Sequence, residues 1–221
     1  MSGLLFTFEG GEGSGKSTAI KSLGKFLLDK FGIVPVIIKE PGTTELGEEL
    51  RDILLHKNLK ITPLAEAFIL QADRAEIVQN VIDPQLLQNK VVIVDRFKDS
   101  SPAYQGAGRG IKVDIIRKLN EISTKGLIPD LTFLLDIDSR IGLQRKKDAG
   151  KLDKIDSEDV GFHERVRNGY LREAKESNPE RWIILDASLP KNELNKLIQE
   201  KVELKLMETG YLEGQRRRKE S

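Results

Sequence analysis

One stretch limits what this chain can fold into more than any other: Phe8-Glu9-Gly10-Gly11-Glu12-Gly13-Ser14-Gly15-Lys16-Ser17-Thr18. It contains Gly10-x-x-x-x-Gly15-Lys16-Ser17, between an apolar run at residues 4–8 and a stretch with helical spacing from residue 17 to about 30. A strand before and a helix after are the context a phosphate-cradling loop requires. Its glycines let consecutive backbone N–H groups face phosphate oxygens. The helix start adds a positive end. Lys16 is positioned to reach β- and γ-phosphates, and the Ser17 hydroxyl to hold Mg²⁺. Gly10, Gly11, Glu12, Gly13, Ser14, Gly15, Lys16, Ser17 and Thr18 are therefore the expected nucleotide-binding residues.

Strand and helix patterns alternate through the rest of the chain. Apolar runs at 4–8, 34–38, 91–94, 131–135 and 182–185 read as strands. Helical spacing fills 46–56, 63–88, 113–123, 139–147, 162–175 and 191–207, and Gln105 to Gly110 reads as a glycine-rich loop. Alternation of this kind predicts an α/β fold, a five-stranded parallel sheet with helices on both faces. The 221 residues suffice for one such domain. We assign it to residues 1–207, followed by a polar tail, 208–221, expected to be disordered. The tail ends Arg216-Arg217-Arg218-Lys219, which a solvated end explains better than a nucleic-acid arm.

Lys plus Arg total 36 and Asp plus Glu 35, so the net charge of +1 gives no reason to expect nucleic acid or a membrane surface as partner. No apolar run nears the roughly 18 residues of a membrane span. The chain has no cysteine, which excludes disulfides, zinc–thiolate sites and a cysteine nucleophile and suits a reducing compartment. With no signal-peptide pattern at the start, a cytoplasmic location is expected.

In such a sheet, ligands gather at the carboxyl ends of the strands. Glu40-Pro41-Gly42 follows the second strand, Asp95-Arg96 the third and Asp136 the fourth. Asp95, ending an apolar strand, reads as the second metal-site residue beside Ser17. Arg96 follows it where many ATPases carry a glutamate that activates water, which argues against hydrolysis. No Asn-Lys-x-Asp stretch is present to read guanine. Arg51, Arg74 and Arg96 fall along one expected rim and suit a second, anionic substrate, because guanidinium binds phosphate oxygens bidentately.

The chain resembles the thymidylate kinases over roughly residues 3 to 206. Besides the glycine-rich loop, the matching segments are Glu40-Pro41-Gly42-Thr43-Thr44-Glu45-Leu46-Gly47-Glu48, Ala72-Asp73-Arg74-Ala75, and Asp95-Arg96-Phe97-Lys98-Asp99-Ser100-Ser101-Pro102-Ala103-Tyr104-Gln105-Gly106. Pro129-Asp130-Leu131, Arg165-Val166-Arg167-Asn168-Gly169-Tyr170-Leu171 and Leu185-Asp186-Ala187-Ser188 follow. The resemblance implies the P-loop nucleoside monophosphate kinase fold, Mg²⁺-dependent transfer of the ATP γ-phosphoryl group to dTMP, and a homodimer. It implies that Lys16 and the loop amides hold ATP, with Ala187 on the adenine side. It implies that Glu12, Pro41, Arg51, Leu70, Arg74, Arg96, Ser101, Tyr104 and Gln105 meet dTMP, Arg96 at the acceptor phosphate. The alternatives are a related monophosphate kinase with shifted base choice and, in a different class, a nucleotide-binding regulatory protein without transfer.

Members of this family place one further cation either inside the phosphate loop or on a mobile lid. Gly11 to Ser14 hold no Arg or Lys, whereas Arg145-Lys146-Lys147-Asp148-Ala149-Gly150-Lys151-Leu152-Asp153-Lys154 is basic. The expectation is a lid at about 145–157 that delivers Arg145 or Lys151. Three positions depart from the family pattern: Leu70 replaces an aromatic residue, Thr43 a glycine and Phe97 a tyrosine. His163 is expected to be exposed, His56 to cap a helix, and Trp182 to lie in the core or an interface.

Overall fold

The apolar runs form β1 (Leu4–Glu9), β2 (Val36–Lys39), β3 (Val91–Asp95), β4 (Leu131–Asp136) and β5 (Trp182–Asp186). They pair in parallel in the order β2-β3-β1-β4-β5. This is a computed structural model, and it describes residues 3–57, 59–150 and 153–219, with side chains to residue 215. Every residue of β1 and β3 is buried, as expected of strands covered on both faces.

Successive residues of β1 feed opposite layers. Leu4, Phe6 and Phe8 join Leu23 and Leu27 of α1 (Lys16–Phe31), while Leu5 joins Val92 and Val94 on the other face. Ile77, at the end of α3 (Pro63–Ile77), covers that second face, following α2 (Glu45–Leu55) in the chain. α4 (Asp83–Leu87) leads into β3, and α5 (Val113–Thr124) packs beside α3. α6 (Ser139–Asp148) includes the first residues of the segment expected to be a lid, and α7 (Val160–Glu176) gathers a third cluster around Phe162, Val166 and Tyr170. On the first face α8 (Lys191–Glu208) lies beside α1, contributing Ile198 and Val202.

The chain leaves β1 for β2 and β3 on one side, and β4 and β5 add on the other, so a crevice opens at the end of β1. Register brings the chemistry there: Phe8 pairs with Asp95 and Phe133, and Lys39 with Asp95. The start of the sheet is tied down too, since Asp130 accepts a 2.8 Å hydrogen bond from the Leu5 amide.

Several local expectations change. β2 starts at Val36 rather than residue 34, because Pro35 has no N–H for the ladder, and Val34 is left exposed. The helix expected over 63–88 is interrupted by a π-helical turn, Val78–Ile82. The loop expected at 105–110 belongs in large part to a π-helical segment, Pro102–Gly108. Its small residues admit α7: a Cβ on Gly108 would lie 2.7 Å from the Phe162 ring, and one on Gly169 2.8 Å from the Ala107 Cβ. The polar tail, expected to be disordered, forms α9 (Tyr211–Lys219), seated by buried Tyr211, whose hydroxyl donates to the Asn89 carbonyl at 2.6 Å. His163 is buried against Phe162 rather than exposed. His56 is the C-cap of α2, and Trp182 is buried.

Candidate active site

At the crevice lies a cavity of about 760 Å³. Its floor is the turn from β1 into α1. Gly10, Gly13 and Gly15 all have positive φ, at 138°, 65° and 92°. The Lys16 ammonium donates to the Gly10 and Gly11 carbonyls at 3.0 and 2.9 Å and to Ser14 Oγ at 3.1 Å. The loop is also wedged against α6. A Cβ on Gly142 would lie 2.2 Å from the Glu12 carbonyl oxygen, so glycine there admits the loop backbone.

Next to this floor Arg96 sits at φ 69°, a left-handed conformation that L residues with side chains seldom hold. Its amide donates to the Phe8 carbonyl at 3.0 Å. One arm of the guanidinium donates to the Gly10 carbonyl (2.9 Å) and the Tyr170 hydroxyl (3.0 Å). The other arm meets Glu12 at 2.6 Å. Glu12 also accepts from the Tyr104 hydroxyl at 2.8 Å. Burial alone would raise Glu12, but Arg96, then Lys16 and Tyr104, outweigh it and bring its pKa down to about 2. Behind Arg96, Glu9 accepts from the Phe97 amide, Ser100 and Tyr170. Burial, reinforced by Asp99, pushes Glu9 up to about 7.

Ser17 and Asp95 are brought together, the hydroxyl donating to the carboxylate at 2.8 Å. Both line the cavity, as do Gly13, Ser14, Gly15, Thr18, Pro41, Arg51, Leu70, Ser101, Tyr104 and Gln105. Arg51 donates to the Pro41 carbonyl at 3.0 Å. Arg74 reaches the cavity wall but is 2 % exposed, paired with Glu40 at 2.5 Å and donating to Ser101 and Asn120. Gly10 and Gly11 do not line the cavity; their carbonyls accept from the Lys16 ammonium. Thr43 repays its departure from glycine, its hydroxyl bonding both the N–H and the carbonyl of Lys39.

On the lid side, Arg145 donates to the Ala187 carbonyl at 3.0 Å, so its guanidinium sits at the β5–α8 turn. Lys146, which the sequence reading did not single out, stands 3.1 Å from Asp156 and 3.9 Å from Glu12. Lys154 lines the cavity and bonds the Leu59 carbonyl. Lys151 lies outside the described residues. The sequence reading also missed the supporting shell of Glu9, Tyr170, Glu66 and Gly142. Glu9, inside the loop motif, and Tyr170, inside a matched segment, were open to notice, whereas Glu66 and Gly142 carry no local signal.

A glycine-rich phosphate loop with a strand-end Asp beside its Ser, at the crevice of a five-stranded all-parallel sheet, places the chain among the P-loop nucleoside monophosphate kinases. A thymidylate kinase family model matches residues 8–198. A thymidylate kinase of Dehalococcoides mccartyi is 45% identical over 202 residues, covering 90% of this chain and 95% of the relative. One from Kosmotoga olearia is 39% identical, with 94% and 99% covered. The crystal structure of thymidylate kinase from Ehrlichia chaffeensis superposes with a TM-score of 0.70 at 35% identity, covering 84% of this chain and 93% of that one. The chain belongs to the thymidylate kinase family.

Proposed function

We propose that the protein transfers the ATP γ-phosphoryl group to dTMP, giving dTDP and ADP. The observation that carries this reading is Arg96, fixed between Gly10 and Glu12 of the phosphate loop and the Tyr170 hydroxyl, where it can grip an acceptor phosphate. Transfer of this kind depends on alignment and charge neutralisation more than on covalent help. Lys16 and the loop amides hold the donor phosphates, and Arg96 with Arg51 holds the acceptor. Glu12 and Tyr104 take the sugar side, and Leu70, Ser101 and Gln105 border the base. Leu70 covers the base without ring stacking, a loss on the order of 1 kcal/mol.

Ser17 and Asp95 offer a hydroxyl and a carboxylate in contact, oxygen donors that fit Mg²⁺. When bound with ATP, Mg²⁺ neutralises charge on the transferred group. The lid adds positive charge through Lys146 and borders the adenine side through Arg145 and Ala187, and its closure keeps water from the donor phosphate. Among the described residues no helix is long and apolar enough to cross a membrane. A cytoplasmic location and a homodimer complete the reading. Exposed Leu64 and Phe68 on α3 and Ile115 and Ile122 on α5 favour an interface there, and a monomeric mass by light scattering would contradict it.

An acceptor panel of dTMP, dUMP, UMP, dCMP and dGMP with MgATP tests the substrate. The highest kcat/KM is expected for dTMP, and chelation by EDTA abolishes turnover. Good turnover of another monophosphate beside none with dTMP would select the shifted-base alternative.

The donor loop gives a pH dependence. Burial, together with neighbouring Arg96, lowers Lys16 to about 8 against the pull of Glu12, Asp95 and Glu9. In the free protein the ammonium that binds phosphate is therefore lost as pH rises through about 8. Bound phosphate favours the charged form and moves this titration upward. kcat/KM for ATP should fall above about pH 8 while kcat holds to higher pH. A kcat/KM flat to about pH 10 would contradict this assignment.

A further inference from the structure

On the base side of the cavity, side chains from α3 and from the π-helical segment with its C-cap form one chain of contacts. Gln105, 3 % exposed, donates its amide nitrogen Nε2 to Glu66 Oε1 of α3 at 3.0 Å. Arg109 donates its Nε to both Glu66 oxygens, at 3.3 and 3.2 Å, and its Nη2 lies 3.2 Å from Oε2. Its remaining arm donates to Glu158 at 2.6 Å, and its guanidinium lies 4.6 Å from the centre of the Phe162 ring. Arg109 is thus held from both sides.

This arrangement fixes an atom that diffraction often leaves ambiguous. A carboxylate has acceptors only, and Arg109 keeps both Glu66 oxygens in that role. Gln105 can meet Glu66 only with its nitrogen, which leaves its carbonyl oxygen Oε1 as the free end. Among the described residues no donor meets that oxygen, and it is not among the buried unpartnered atoms, so it remains accessible. Gln105 and Glu66 both line the cavity.

We propose that Glu66 sets the base choice of this site. By turning the Gln105 oxygen to the cavity, it favours a pyrimidine with an N–H at ring position 3, thymine or uracil, over cytosine, whose N3 is an acceptor. The proposal rests on the reading of this cavity as the acceptor-nucleotide site. Two acceptors facing each other in a buried site leave both unpaired, and sites built on a polar contact discriminate strongly for that reason. Glu66 is a positioning residue, since it acts through Gln105.

Glu66→Gln tests the relay with nearly unchanged shape. Its amide oxygen stays on Arg109 and its nitrogen turns to Gln105, which must flip and present its own nitrogen to the cavity. The kcat/KM ratio of dTMP to dCMP should fall about 10-fold or more, with KM for ATP and Tm near wild type. The swap Glu66→Gln/Gln105→Glu returns acceptors to the cavity and should restore the ratio, a rescue that a merely structural role does not provide. Gln105→Leu leaves the Glu66–Arg109 pair intact and should also lower the ratio, which keeps the test open if Glu66→Gln folds poorly. A ratio unchanged in all the folded variants would overturn the role of Glu66 alone. Wild-type protein that phosphorylates neither dTMP nor dUMP would overturn the acceptor-site reading itself.

Discussion

Replacing Arg96 by alanine should lower kcat about 10³-fold while the Kd for ATP changes less than about threefold, because one guanidinium aimed at a transferring or accepting phosphoryl group carries effects of this size. The geometry explains the asymmetry. Lys16 and the loop amides hold the donor directly, and losing the Arg96 charge only removes a neighbour that disfavours the Lys16 ammonium. The acceptor phosphate depends on that charge. The fold holds Arg96 at φ 69°, a conformation that costs on the order of 1 kcal/mol for such a residue. Four contacts maintain it: Phe8 and Gly10 carbonyls, the Tyr170 hydroxyl and Glu12. Strain retained against four restraints is what a site would keep if the side chain had to meet its ligand at one fixed position. Arg96→Lys should rescue little, since one ammonium cannot span the separate directions of Gly10, Tyr170 and Glu12. Steady-state kinetics with ATP titration by calorimetry separates the two quantities. Equal losses in turnover and in ATP affinity would contradict an acceptor-phosphate role.

Gly142→Ala, in a helix and outside every motif, should lower kcat/KM for ATP about 10²-fold. In an exposed helix this change would stabilise by about 1 kcal/mol, since alanine is the better helix former. Here the added Cβ would lie 2.2 Å from the Glu12 carbonyl oxygen, and the atom it strikes is backbone, which cannot rotate away. Either α6 or the phosphate loop must shift. A displacement near 1 Å of a positioning loop costs about this much in rate. The partner face is equally tight, because a Cβ on Gly13 would approach the Gly142 carbonyl oxygen. Kinetics beside a melting curve provides the check. Wild-type kcat/KM with a raised Tm would show that the contact between loop and helix does not matter.

The two residues illustrate how unevenly a sequence discloses a site. Arg96 was legible because its neighbours are local: an apolar strand, Asp95 and a change of residue type at the strand end. The sheet was legible for the same reason, since each strand is a short apolar run between helical spacings. Gly142 was not, because its role is set by a loop some 130 residues earlier in the chain. Glu66 and Arg109 look like ordinary surface charges until α3, the π-helical segment and the lid end converge. The same limit explains the misreadings at 105–110 and at His163. Gly106 and Gly108 suggest a loop, yet the absence of a side chain at Gly108 is what lets Phe162 and Val166 of α7 pack closely. His163 lies among charged residues in sequence but faces Phe162 in space. The lid shows the limit from the other side. A run of basic residues disclosed positive charge on this side of the cavity, but not that Arg145 meets Ala187 while Lys146 stands by Glu12.

The central claim is transfer to an acceptor rather than hydrolysis or binding alone. Phosphorus-31 spectra of the wild-type protein with MgATP, recorded with and without dTMP, test it most directly. The account predicts dTDP and ADP appearing together in a 1:1 ratio, with inorganic phosphate near background and little ADP when dTMP is withheld. ADP accompanied by free phosphate in place of dTDP, or ATP left intact while dTMP is present, would contradict it.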